Sequence, residues 1–225
     1  MKLSTRTINI LSNFALINQS AILGPGKSIQ TNSPAKDIRV YATIVEDLPL
    51  EICIYDLKNF LSVMKSIEES SVEFGKTEAI ISDAASSCQY RYASKLVIRT
   101  VEPKTLNNAN FSISLDLSAE NLKKLLKMAS ILSSVHVLFD SKGTITVTDL
   151  GNSSINVFSL DFPAAQDQKF AYKLAITVEN LAKILLQSYK VSFDARGLCS
   201  LLGENMVTYY IGVDKNFSTI DGKKI

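Results

Sequence analysis

Three lysines, Lys123, Lys124 and Lys127, lie within the segment DLSAENLKKLLKMASIL, residues 116–132. At helical spacing they share one exposed face, and no acid follows to pair with them. Their chemistry is charge alone: three ammonium groups in a row suit a polyanion held without chemical change. The opposite face carries Leu122, Leu125, Leu126, Ala129 and Leu132 at the three-and-four spacing of a helix that buries one side. Ser118 is the expected N-cap, and Glu120 sits where the helix dipole favours an anion. Solvation is the plain alternative for such a lysine face, because most charge runs on helices meet only water.

Other residues with chemical potential fit poorly with chemistry. AILGPGKS, residues 21–28, matches a relaxed phosphate-loop pattern, with Ala21 in place of the strict form's glycine. A phosphate loop must open a helix, whereas this segment runs into SIQTNSP, which has no helical period. Gly24, Pro25 and Gly26 read as turn residues. His136 is the only histidine, and Cys53, Cys88 and Cys199 lie far apart. Neither a metal site nor a disulfide framework follows from that distribution, so free thiols and no cofactor are expected. No nucleophile is pointed at His136 by spacing. With no tryptophan, an aromatic base-stacking surface is unsupported.

Composition agrees. The 225 residues are 46% hydrophobic and 20% charged, enough for a sizeable core in one or two domains. The net charge of +2 is too small to indicate nucleic acid unaided. The N-terminus MKLSTRTINILSNFALINQS lacks the pattern of a signal peptide, and no window is apolar enough to span a membrane. The expectation is a soluble intracellular protein.

Elements that could position the lysines recur along the chain. A helix is expected from Ser4 to about Ile17, burying Ile8, Leu11, Phe14 and Ala15 and showing Arg6, Asn9 and Asn13. A second, from Asp56 to about Ile67, buries Leu57, Phe60, Leu61 and Met64 and shows Lys58, Ser62 and Lys65. A fourth, from Thr177 to about Ser188, buries Val178, Leu181, Ala182 and Leu185 and shows Asn180, Lys183 and Gln187. Alternating strand-like segments follow each helix: AIL, SIQT, IRVYATIV and LEICIY; then SVEF, EAIIS, CQYRYA and LVIRTV; then VHVLF, GTITVTDL and SSINVFSL; then YKVSFD, GLCSLLG and MVTYYIGV. One helix plus a run of antiparallel strands therefore repeats four times. The polar, proline-bearing VEPKTLNNANF is the expected seam, giving domains 1–103 and 104–225. Across the four helices, acids sit at the ends and the exposed middles carry only bases, which suggests a shared anionic partner.

MKLSTRTINILSNFALIN, IYDLKNFLSVM and LSAENLKKLLKM, in that order, resemble the DNA polymerase sliding clamps of T-even-type phages and their relatives. The resemblance implies an α+β DNA-clamp fold: two similar domains, each with two helices packed on antiparallel sheets, assembling into a ring. Two-domain chains of that family close head to tail as homotrimers around duplex DNA and catalyse nothing. Implied partners are duplex DNA, DNA polymerase, an ATP-driven clamp loader, further copies of the chain and late-transcription factors; no membrane is involved. The implied place of work is the cytoplasm of the infected bacterial host. The inner wall would be formed by Arg6, Asn9, Asn13, Lys58, Lys65, Lys123, Lys124, Lys127, Lys183, Asn180 and Gln187. Client peptides would dock on apolar residues of the connector, Val101, Pro103 and Leu106, or of the chain end, Tyr210, Phe217 and Ile220. One departure stands out, since such clamps are acidic overall and this chain is slightly basic. The competing reading is a repeat-built α+β protein-interaction scaffold that does not bind DNA.

Overall fold

The computed structural model describes residues 1–67, 69–98, 111–152, 156–162 and 171–225. The chain divides into two compact units, Met1–Lys104 and Thr105–Ile225. The expected seam at 103/104 lies outside the described residues, as do Val101, Pro103 and Leu106.

In the first unit, helix α1 (Thr5–Ile17) leads into strands β1 (Ala21–Leu23), β2 (Gly26–Asn32), β3 (Ile38–Leu48) and β4 (Ile52–Ile54). Helix α2 (Leu57–Ser66) then leads into β5 (Ser71–Phe74), β6 (Glu78–Ser82) and β7 (Ser87–Arg91). Pairing is antiparallel: β1 with β4, β2 with β3, and β5 with β6 with β7. Along β3 the alternation Ile38, Val40, Ala42, Ile44 is wholly buried, so one face of this strand feeds the core. Helix α2 follows its sequence closely. Leu57, Phe60, Leu61 and Met64 are buried, and the Asn59 amide donates to the Asp56 carboxylate that caps the helix. LVIRTV does not continue the sheet at its start. Ser94 instead caps a single 3-10 turn, Lys95–Val97.

Helix α1 is turned from the expected register. Thr7, Ile10, Leu11, Asn13, Phe14 and Ile17 are buried, while Ile8 and Ala15 are only half-buried. Thr7 can go inward because its hydroxyl has a partner there. The Thr7 hydroxyl and the Ser4 amide both donate to the Glu46 carboxylate on β3, beside the Ser4 cap. Burial would raise the Glu46 pKa, but these bonds outweigh it and hold the carboxyl below its ordinary value of 4.5. The sign follows: the stabilisation is complete above the unfolded carboxyl pKa and is lost as pH falls through the lower folded value. Glu46→Gln weakens the hydrogen bonds from Thr7 and Ser4 and should cost about 1 kcal/mol at neutral pH. It should also flatten the acid limb of stability, as urea unfolding at pH 7 and at successively lower pH would record.

The second unit repeats the plan. Strand β8 (Phe111–Leu117) enters α3 (Ala119–Ile131), followed by β9 (His136–Asp140), β10 (Thr144–Thr148) and β11 (Phe158–Asp161). Strand β12 (Tyr172–Thr177) enters α4 (Val178–Leu181), followed by β13 (Tyr189–Asp194), β14 (Leu198–Gly203) and β15 (Val207–Gly212). A terminal hairpin, β16 (Thr219–Ile220) with β17 (Lys223–Lys224), was not expected from the sequence. One sheet runs β11-β10-β9-β12-β16-β17, and another contains β15-β14-β13-β8 in that order. Phe139 of β9 and Phe193 of β13 meet in the core at 5.1 Å between ring centroids.

The fourth helix is the main correction. It makes a single turn, and the backbone then leaves the helical path. Two tyrosine hydroxyls explain why. The Leu185 amide donates to Tyr209 at 3.2 Å, and Tyr189 donates to the Leu185 carbonyl at 2.7 Å. Both backbone groups of Leu185 are thus satisfied by β13 and β15 rather than by a continuing helix.

Candidate nucleic-acid interface

Each unit packs its own two helices together, α1 with α2 and α3 with α4. On α3 the buried stripe is Leu122, Leu125 and Ala129, with Leu126 and Leu132 half-buried. Ser118 accepts from the Asn121 amide at 3.2 Å and so fixes where the helix begins. That start places Lys123, Lys124 and Lys127 on the exposed face. Glu120, in the first turn, is the only acid of this helix. Lys124 Nζ lies 5.7 Å from the centre of the Phe158 ring on β11, which gives that ammonium an aromatic rest. On α2, Lys58 and Lys65 are exposed, and the helix contains no acid. Its exposed hydroxyls turn back on their own helix: Ser62 donates to the Lys58 carbonyl and Ser66 to the Val63 carbonyl.

The remaining expected wall residues divide. Asn9 is exposed on α1. Arg6 is half-buried and donates from Nη2 to the Thr43 carbonyl at 3.4 Å. Asn13 is buried at 5% exposure, which corrects its placement on the open face. Asn180, inside α4, and Gln187, beyond its end, are buried as well, which corrects their placement on the open face. The Gln187 carbonyl oxygen accepts from Asn205 at 2.7 Å, and its amide nitrogen fills the space over Gly203, where a Cβ would stand only 2.0 Å away. Lys183 is half-buried and paired with Glu179 at 2.8 Å, one helical turn earlier. That partner was visible in the sequence as an acid four residues before a lysine. Phe158 beneath Lys124 had no local signal.

At the chain end, Tyr210 is half-buried against Phe111, with centroids 6.5 Å apart. Phe217 is also half-buried and meets the His136 ring edge-on at 4.8 Å. Ile220 pairs with Tyr172 at the β12–β16 step. His136 is buried and engaged on both nitrogens: the Leu150 amide donates to Nδ1 at 3.4 Å, and Nε2 faces Asp214 at 3.4 Å. It therefore serves the core.

Reactive groups are quiet elsewhere too. Burial pushes the Cys199 thiol well above its ordinary range. Burial, reinforced by the Glu51 charge, raises Cys53 against the opposing effect of Lys95. Among the described residues, no group of three or more His, Cys, Asp or Glu side chains could hold a metal ion. AILGPGKS is a strand, a turn and a strand, with no helix to receive a phosphate. Gly24 takes a left-handed φ of +68° there, and a Cβ would lie 2.6 Å from the Leu50 carbonyl oxygen. No helix is long and apolar enough to cross a membrane among the described residues. What α2 and α3 offer is a pair of exposed, acid-poor cationic faces, suited to phosphate contact without base reading.

No family model matches the chain. It is 27% identical to the sliding clamp of Vibrio phage KVP40 over 223 residues, covering 95% of this chain and 99% of that one. It is 30% identical to the sliding clamp of Escherichia phage RB69 over 131 residues, 57% of either chain. Among solved structures, the PCNA of Entamoeba histolytica superposes with a TM-score of 0.69 at 12% identity, covering 95% of this chain and 97% of that one. The PCNA of A. fulgidus, bound to the C-terminal region of FEN-1, gives a TM-score of 0.66 at 14% identity, with 92% and 94% covered. The Helicobacter pylori beta clamp, bound to a DNA ligase peptide, gives 0.70 at 11% identity, with 95% of this chain but 64% of that one covered.

Proposed function

We infer that this chain is a DNA polymerase sliding clamp of the kind carried by T-even-type phages, and that it works as a closed ring around duplex DNA. The observation that carries this is the likeness to a phage clamp over 95% of this chain, which takes in both units. The exposed lysines of α2 and α3 supply the physical reason. Lys58, Lys65, Lys123, Lys124 and Lys127, together with Asn9, line the inner wall and meet phosphates. A long, flexible, strongly hydrated ammonium releases one phosphate as it finds the next. Contacts of this kind carry no sequence information, so the duplex is held and still slides. Arg6 and Lys183, each with a partner in the fold, contribute fixed positive potential more than mobile contacts.

Three copies close the ring head to tail through a heterologous interface. A clamp loader opens it at the expense of ATP, and the clamp itself catalyses nothing. It tethers the replicative polymerase in the cytoplasm of the infected host. Other clients, late-transcription factors among them, dock by short peptides, as the FEN-1 and DNA ligase segments do on the structural neighbours. The chain-end surface around Tyr210, Phe217 and Ile220 is one place for them, together with the connector residues Val101, Pro103 and Leu106.

Solution mass tests the assembly. Light scattering at micromolar concentration should give three times 24.7 kDa, with dissociation on dilution. A species that stays at 24.7 kDa across the accessible concentration range, loader absent, would remove the trimeric ring.

A further inference from the structure

The stretch between β15 and β16 is tied to β12 at two points. The Asp214 amide donates to the Ala175 carbonyl at 2.8 Å, and the Ala175 amide donates to the Ser218 hydroxyl at 3.0 Å. Ser218 is fully buried. Between these points the chain turns tightly around one residue. Asp214 Oδ1 accepts from the Asn216 amide at 3.0 Å, and the Asp214 carbonyl accepts from the Phe217 amide at 3.2 Å. The second carboxylate oxygen, Oδ2, faces Nε2 of His136 on β9. Because His136 accepts the Leu150 amide at Nδ1, its ring carries a proton at Nε2 to donate to that oxygen. Phe217, at the end of the turn, comes back to the same imidazole, with ring centroids 4.8 Å apart. The contacts close on themselves: the imidazole fixes the carboxylate, the carboxylate fixes the turn, and the turn returns Phe217 to the imidazole.

We propose that His136 is a positioning residue for client docking, holding Phe217 half out of the fold in the one orientation that a client's apolar anchor meets. The proposal rests on the reading of the chain end as a docking surface. His136 is only 5% exposed, so it acts through Asp214 and Phe217 and touches no client itself. Held at both nitrogens, the ring cannot turn without giving up a hydrogen bond. Phe217 is therefore ordered before a client arrives, and binding does not have to order it. The two residues that the turn leaves exposed, Lys215 and Asn216, need no fixed geometry for this.

The test is biolayer interferometry of the full chain against its cognate DNA polymerase, without DNA, with solution mass and melting temperature followed in parallel. Phe217→Ser should weaken binding by about tenfold. Asp214→Asn keeps an oxygen for the Asn216 amide but sets an N–H against the imidazole N–H, and should weaken binding by about fivefold. His136→Gln keeps a donor for Asp214 but removes the flat ring beside Phe217, and should weaken binding to a similar degree. In the Phe217→Ser background neither change should weaken binding further, because the group they position is gone. A purely structural role would lower the melting temperature of both variants and leave affinity unaltered, or would add its loss to that of Phe217→Ser. Either result overturns the proposal while leaving the docking surface in place. If Phe217→Ser binds the polymerase like the unmodified chain, the chain end is not a docking surface and the proposal falls with it.

Discussion

Replacing Lys123, Lys124 and Lys127 together by alanine should leave the protein folded and cut processive synthesis with loader and polymerase by about tenfold or more. Folding survives because all three side chains are exposed on α3 and the buried stripe of Leu122, Leu125 and Ala129 is untouched. Alanine is also the better helix former, by a few tenths of a kcal/mol per site, roughly offsetting the loss of the Lys124 contact with Phe158. DNA contact should not survive so well, because in the proposed trimer the loss of the α3 lysine face is repeated in every copy. Each phosphate left unneutralised lowers the salt slope of DNA association by about 0.9. The deficit in DNA affinity should therefore be largest at low salt and narrow as salt is raised. Lys76, Lys142 and Lys215, exposed on turns and loops between strands, provide a control with the same change in net charge. Their triple alanine variant should replicate like the unmodified clamp. Equal activity of the two triple variants would mean that the α3 lysines face only solvent.

The legibility of this chain depended on whether an element is specified by its neighbours in sequence or in space. Helix α2 is specified locally: Asp56 caps it, and Leu57, Phe60, Leu61 and Met64 mark one face with no competing register. The α3 lysines were legible for the same reason, since a helix whose inner stripe is fixed has its outer face fixed too. Helix α1 offered two inner stripes, one through Ile8 and one through Ile10. The choice fell to Glu46, a residue of β3 that receives the Thr7 hydroxyl. Helix α4 carries a plausible helical pattern to Ser188, but Tyr189 and Tyr209 take the backbone of Leu185 from strands that no local pattern reveals. With the helical continuation lost, Gln187 moved from the expected wall into the interior, and Asn180, inside the remaining turn, is buried as well.

A ring acts by linkage rather than affinity, and its largest expected effect is accordingly all-or-none. Electrostatic contact with phosphates weakens steeply as salt rises, whereas a closed ring can leave a duplex only by opening or by running off an end. In the proposed ring, the lysine faces of α2 and α3 would set how readily it moves along DNA, and closure would set whether it stays. The most direct measurement loads labelled protein onto nicked circular DNA with loader and ATP, raises the salt, and follows retention by gel filtration before and after one restriction cut. The expected result is stable retention on the circle, little affected by salt, and rapid loss once the cut creates free ends. Equal loss from circular and linear DNA would contradict encirclement and leave only a cationic protein that binds from outside.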